Sequence, residues 1–109
     1  MLFRSITLQI TAAKEKDAEE ILNELLESEL VYAGFVTPIK SWKRKKDKVH
    51  YNFNCLATAF TQAVLFKEIE LFLIKKFPQK DFIIYSMPLL NFSGQHEPLL
   101  KKETTSKVR

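Results

Sequence analysis

The chain has 109 residues, 46% of them hydrophobic and 12% aromatic, with only 2 glycines; this suffices for one domain with a packed core and excludes a disordered, collagenous or disulfide-stapled chain. One cysteine cannot bridge within the chain, and no run resembles a secretory h-region or a membrane span, so a soluble, cytoplasmic protein without membrane contact is expected. The net charge of +4 hides two opposed blocks: residues 40–48 carry six cations against Asp47, and residues 14–29 carry seven acids against two lysines, both explicable as solvated faces.

In residues 2–11, Leu2, Ile6, Leu8 and Ile10 alternate with Phe3, Ser5, Thr7 and Gln9, the period of a strand. Residues 14–30 place Ala18, Ile21, Leu22, Leu25 and Leu26 at helical spacing with acids opposite, so one amphipathic helix follows. A second strand is expected over residues 31–39, with Pro38 at an edge, an end or a bulge because proline lacks an N–H. The basic residues 40–48 then form the far end of a long hairpin. Val49, Tyr51, Phe53, Cys55 and Ala57 define one face of a third strand, read as a core-like series. Thr61 is expected to cap a second helix, with Phe60 and Leu65 as a hydrophobic staple. Leu65, Ile69, Phe72 and Leu73 give that helix one stripe, while Phe66, Leu71 and Ile74 spread around it and predict a subunit interface. Phe77 and Pro78 end the helix. Residues 81–87 read as a fourth strand closed by Pro88, residues 89–94 as a short additional strand, and residues 96–102 as a helical turn. Residues 1–102 are taken as a single domain and 103–109 as a flexible basic tail.

The order β-α-β-β-α-β is the α+β, ferredoxin-like split arrangement, with two helices on one face of an antiparallel sheet. Its other face carries apolar residues and needs cover, which a homo-oligomer would supply.

Catalytic signatures are missing: the sequence contains no GxSxG, HExxH, CxxC, P-loop or GxGxxG pattern, and no enzyme activity is expected. The metal-ligating candidates are His50, Cys55 and His96. Cys55 reads first as a small buried hydrophobe. Its odd separation from His50 puts the two on opposite faces of a regular strand, so either would ligate only across an oligomer interface. His96 falls in a loop-like segment where an exposed histidine is the default reading. Trp42 with Lys43, Arg44, Lys45 and Lys46 offers a ring beside four cations and is the candidate site for a ligand or anion. Nucleic acid is not expected, since the third strand lacks the Lys-Gly-Phe-Gly pattern of RNA-recognition modules.

The element order and several short motifs resemble the CutA divalent-cation tolerance proteins. The resemblance runs ungapped over residues 6–89 and includes Thr11, the helix positions Ala18, Ile21, Leu25, Leu26 and Leu30, and the run from Leu30 through Pro38 and Ile39 to Ser41. The family's Lys-Thr before its second helix is matched by Phe60 and Thr61, and its His-Pro-Tyr-Glu run by Phe77, Pro78, Gln79 and Lys80, ending at Pro88 and Leu89. This resemblance implies a homotrimeric, non-enzymatic protein of metal-ion tolerance or signalling, with copper or another divalent metal as the possible cofactor class. Ala33, Phe77, Gln79, Ile83, Lys43 and Lys45 replace the family's cysteine, histidine, tyrosine, glutamate, tyrosine and tryptophan. Loss of thiolate and imidazole from those positions undercuts a copper site, because copper favours soft ligands. The competing readings are a PII-like small-ligand sensor, an oligomeric interaction scaffold and, last, an RNA-binding module.

Overall fold

The computed structural model describes residues 5–80, 82–89 and 94–106. The elements run β1 (Ser5–Ala12), α1 (Glu15–Glu27), β2 (Ala33–Lys45), β3 (Lys48–Gln62), a 3-10 turn (Ala63–Leu65), α2 (Phe66–Lys76), β4 (Ile84–Pro88) and α3 (Glu97–Glu103). The four strands form one antiparallel sheet in the order β2-β3-β1-β4, the expected α+β ferredoxin-like arrangement.

Side-chain alternation sorts the sheet into two faces. Register rows Gly34–Ala59–Leu8–Ser86 and Val36–Ala57–Ile10–Ile84 lie on one side. Against these rows pack Ala18, Ile21, Leu22 and Leu25 of α1 and Ile69 and Leu73 of α2, forming the core. Rows Phe35–Thr58–Gln9–Tyr85 and Ala33–Phe60–Thr7–Met87 lie on the other side, where Phe35, Tyr85 and Met87 remain exposed. Pro38 sits in the edge strand β2, paired in register with Cys55, where a missing N–H costs no ladder bond.

Two local devices fix the chain path without glycine. Helix α1 ends in a Schellman motif: Leu30 N–H donates to Leu25 C=O, Glu29 N–H donates to Leu26 C=O, and Glu29 takes the left-handed backbone at φ 59° that glycine usually fills. The β2–β3 hairpin closes through Lys46 and Asp47, with φ of 51° and 63° between the paired Lys45 and Lys48. Two successive left-handed residues define the type I′ turn whose twist matches the hairpin.

Several expectations are corrected. Thr61 does not cap a helix. It is a buried residue of β3, paired with Ile6, and its hydroxyl donates to Leu30 C=O at 2.5 Å, so the strand runs to Gln62 and α2 begins at Phe66. Leu26 belongs to the helical spacing but faces outward at 36% exposure, because one turn of helix buries only part of its circumference. Strand β2 continues through the basic run to Lys45. Tyr51 and Phe53 are not core: they are 57% and 74% exposed, since the alternation continues past the last residue that the helices cover. The described part of the expected tail is docked. Thr104 is buried and receives a 2.8 Å bond from Gln62 Nε2, Thr105 N–H donates to Glu29 C=O, and Ser106 Oγ donates to Glu68. Residues 90–93, expected as extra strand, and 107–109 lie outside the described residues.

Gly34 marks the closest approach in the sheet. A Cβ there would stand 2.3 Å from Thr58 C=O and 2.8 Å from Leu22 Cδ1. The backbone atom cannot rotate away, so Gly34→Ala must shift β2 or α1. Overpacking of this kind costs about 1–3 kcal/mol, to be read as a lower urea midpoint at unchanged m value.

Candidate functional site

The basic and aromatic residues gather on the outer half of the hairpin. Residues 42–53 are all exposed, and the direct pairs Trp42–Tyr51 and Lys40–Phe53 put those four side chains on one face with Arg44 and Val49. Lys40 Nζ lies 4.4 Å from the Tyr51 ring centre and 5.5 Å from those of Trp42 and Phe53. Tyr51 and Phe53 meet edge to face at 6.3 Å, the arrangement ring quadrupoles favour. The reverse face carries the pairs Lys43–His50, Lys45–Lys48 and Ser41–Asn52. At the root of this arm a concavity of about 430 Å³ is lined by Thr11, Ser41, Trp42, Asn52, Asn54 and Ile83. Ser41 Oγ donates to Asn54 Oδ1, and Ile83 N–H donates to Thr11 Oγ1 at 3.0 Å.

The metal candidates are dispersed. His50 stands exposed on the arm; Cys55 is buried under α1; His96 shares a 2.7 Å hydrogen bond with Tyr32 at the start of α3. Among the described residues no three His, Cys, Asp or Glu side chains are arranged to hold a metal ion. Phe77 is a core residue, Ile83 is an exposed aliphatic, and Lys43 and Lys45 project from the arm. A copper centre does not fit the residues of one chain, since the one thiol is sequestered and no imidazole stands on its face of β3.

Burial pushes the Cys55 thiol above its ordinary range, and the carboxylates of Glu15 and Glu19 add to the rise. The acids of α1 are themselves engaged. Lys80 Nζ lies 2.7 Å from Asp17 Oδ1 and 3.2 Å from Glu20 Oε1, and Lys76 Nζ lies 3.5 Å from Glu24 Oε1. The bond to Asp17 is the main cause that raises the Lys80 pKa. Periodicity located the acids but not these partners, which come from the end of α2 and the turn after it.

The geometry defines a class first: a four-stranded ferredoxin-like α+β protein with a projecting basic arm. The particular fold within that class is the one of the CutA proteins. No family model matches the sequence, and no curated protein matches it. Solved structures do. The CutA1 of Oryza sativa superposes with a TM-score of 0.87 at 15% identity, over 96% of this chain and 97% of that one. The divalent cation tolerance protein of Thermus thermophilus gives 0.85 at 20% identity, over 93% and 99%. The periplasmic divalent cation tolerance protein CutA of Archaeoglobus fulgidus gives 0.84 at 20% identity, over 91% and 97%. Among the described residues no helix is long and apolar enough to cross a membrane.

The state of Cys55 is directly testable. Thiol reagents are expected to react slowly with the folded protein and rapidly after denaturation, because the thiolate is the reactive form. Since the folded pKa is raised, stability is full below the unfolded thiol value of about 8.5. It falls as pH rises beyond, because the unfolded chain releases the proton first. Cys55→Ala should cost about 1 kcal/mol at neutral pH and flatten that alkaline decline, as thermal melts across pH 7–10 would show.

Proposed function

We propose that the chain works as a homotrimer of the CutA type, a non-enzymatic component of the response to divalent metal ions or of signalling. The observation that carries this reading is the outer face of the sheet, away from α1 and α2, where Phe35, Ile83, Tyr85 and Met87 are exposed. A one-sided antiparallel sheet with such a face is completed by another sheet, and closed symmetry completes all copies alike. Leu71 and Ile74 are further exposed apolar residues, on α2 in the helix layer on the opposite side of the sheet. The role in cation tolerance is taken from the names of the structures of like fold. The non-enzymatic reading draws on the one cysteine, Cys55, which is buried and whose thiol pKa burial raises. A cytoplasmic setting fits a free thiol that calls for no oxidising compartment.

Any metal in this reading is held between subunits, with exposed His50 as the ligand one chain could offer a neighbour. A second reading, a PII-like sensor of a small anionic ligand, draws on the concavity at the arm's root and would show as thermal stabilisation by nucleotides.

Light scattering at micromolar concentration should give three times the 12.7 kDa chain mass, and Met87→Glu should lower it by placing a charge in the closed face. A monomer mass for the unmodified chain would refute the trimer. Titration calorimetry with copper and zinc should show no submicromolar site that Cys55→Ala abolishes. Such a site would instead restore the thiol as a ligand.

A further inference from the structure

Two apolar surfaces on the helix side of the sheet stay exposed among the described residues. The first is on the arm. Alternation along β2 and β3 puts the pairs Lys40–Phe53, Trp42–Tyr51 and Arg44–Val49 on the same side as Val36 and Ala57, the side of the helices, yet Trp42 is 63% exposed there and Val49, Tyr51 and Phe53 are exposed with it. The second is at the far edge of the sheet. A groove of about 220 Å³ opens between α2 and β4, lined by Glu70, Ile74, Phe77, Lys80, Phe82 and Ile84. Ile74 and, three residues before it on α2, Leu71 are exposed. The charges on the two surfaces are opposite. The arm brings Lys40 and Arg44, whereas the groove brings Glu70, which pairs with the largely solvated Lys67 at 3.4 Å, a contact of little strength. The groove's own cation, Lys80, is already held by Asp17 and Glu20.

A ring of three is closed by a heterologous contact, in which two different surfaces of the chain meet. Among the described residues the sheet has two bare edges, β2 and β4, and bare edges recruit one another. Beyond the helices β2 offers residues 40–45, past Pro38, and β4 offers Ile84–Pro88, runs of matching length. Joined with their outer faces on one side, the two sheets become continuous, and the helix-side face of one copy's arm comes beside α2 of the next. We propose, resting on the trimer reading, that the groove between α2 and β4 is the receptor for the partner subunit's Trp42, whose indole packs on Ile74, Phe82 and Ile84 while Glu70 faces the partner's Lys40 and Arg44. Lys40 already lies over Trp42, Tyr51 and Phe53 in the single chain, so the rings and their cation enter as one preformed unit. The rings that the chain's own helices fail to roof are roofed by a neighbour's α2.

Trp42 is the single tryptophan, so its emission reports on the groove directly. Emission and acrylamide quenching are measured on the full-length protein at a concentration where light scattering gives the trimer mass. The emission should be blue-shifted and the quenching slow, although the single chain leaves this ring largely exposed. Ile74→Glu alters an exposed position, so far-UV dichroism should be retained while Trp42 emission moves to that of a solvated ring and the mass falls. Val64→Glu, exposed on the 3-10 turn and outside the groove lining, should leave the emission unchanged. Glu70→Lys should weaken the trimer on dilution, and Lys40→Glu added to it should restore it. A trimer whose Trp42 emits as a solvated ring, or whose shielded Trp42 stays shielded in Ile74→Glu, would overturn the groove assignment and leave the trimer standing. A monomer mass for the unmodified chain would overturn both.

Discussion

The structure depends on a mismatch of lengths. Strand β3 has 15 residues, which at the rise of a twisted strand is about 45 Å. Helices α1 and α2 have 13 and 11 residues, about 20 Å and 16 Å at the helical rise. Two such helices cannot roof a hairpin that long, and the burial pattern changes where the roof ends. From Cys55 to Ala59, the residues of β3 facing the helices are buried; before Asn54 none is. The molecule is correspondingly elongated, 44 Å by 27 Å by 24 Å. The distribution of charge and aromatic rings follows, because an unroofed strand pair must satisfy solvent on both faces. Here it does so with lysines on one face and a cation seated over rings on the other.

This explains why the fold was legible in the sequence and the arm's state was only half so. Alternation reports which side of a strand a residue faces, and it placed Leu8, Ile10, Cys55 and Ala57 correctly. It carries no information on whether anything stands opposite, so Tyr51 and Phe53 read as a continuation of the core. Thr61 misled for a related reason. A threonine followed by an apolar helical run has the chemistry of a cap, yet its hydroxyl serves a carbonyl at the far end of α1. The end of α1 gave no local signal, since Glu29 holds the left-handed position in place of glycine.

The candidate site was legible as composition and not as geometry. The cluster of cations beside Trp42 was visible as a run, but its division into a lysine face and an aromatic face comes from the hairpin register, which pairs Trp42 with Tyr51 and Lys43 with His50. The metal candidates show the converse. His50, Cys55 and His96 are chemically suited to ligation, but the fold sends them to the arm, the core and the last helix. Charge balance was likewise hidden, because Lys76 and Lys80, distant in sequence, neutralise part of α1.

The pairing of β1 has a consequence for how the chain reaches this state. Both neighbours of this central strand come late: Ala12 pairs with Cys55 and Ser5 with Gln62, and Ile6 pairs with Pro88 on the other side. On a ribosome adding about 5–20 residues per second, β1 waits several seconds with both edges bare, while the β2–β3 hairpin can close on itself as soon as it emerges. Bare apolar strands of this kind recruit other chains. The alternation of Thr7, Gln9 and Thr11 with Leu8 and Ile10 keeps one face of the waiting strand polar and leaves sheet assembly, rather than helix formation, as the slow and vulnerable stage of synthesis.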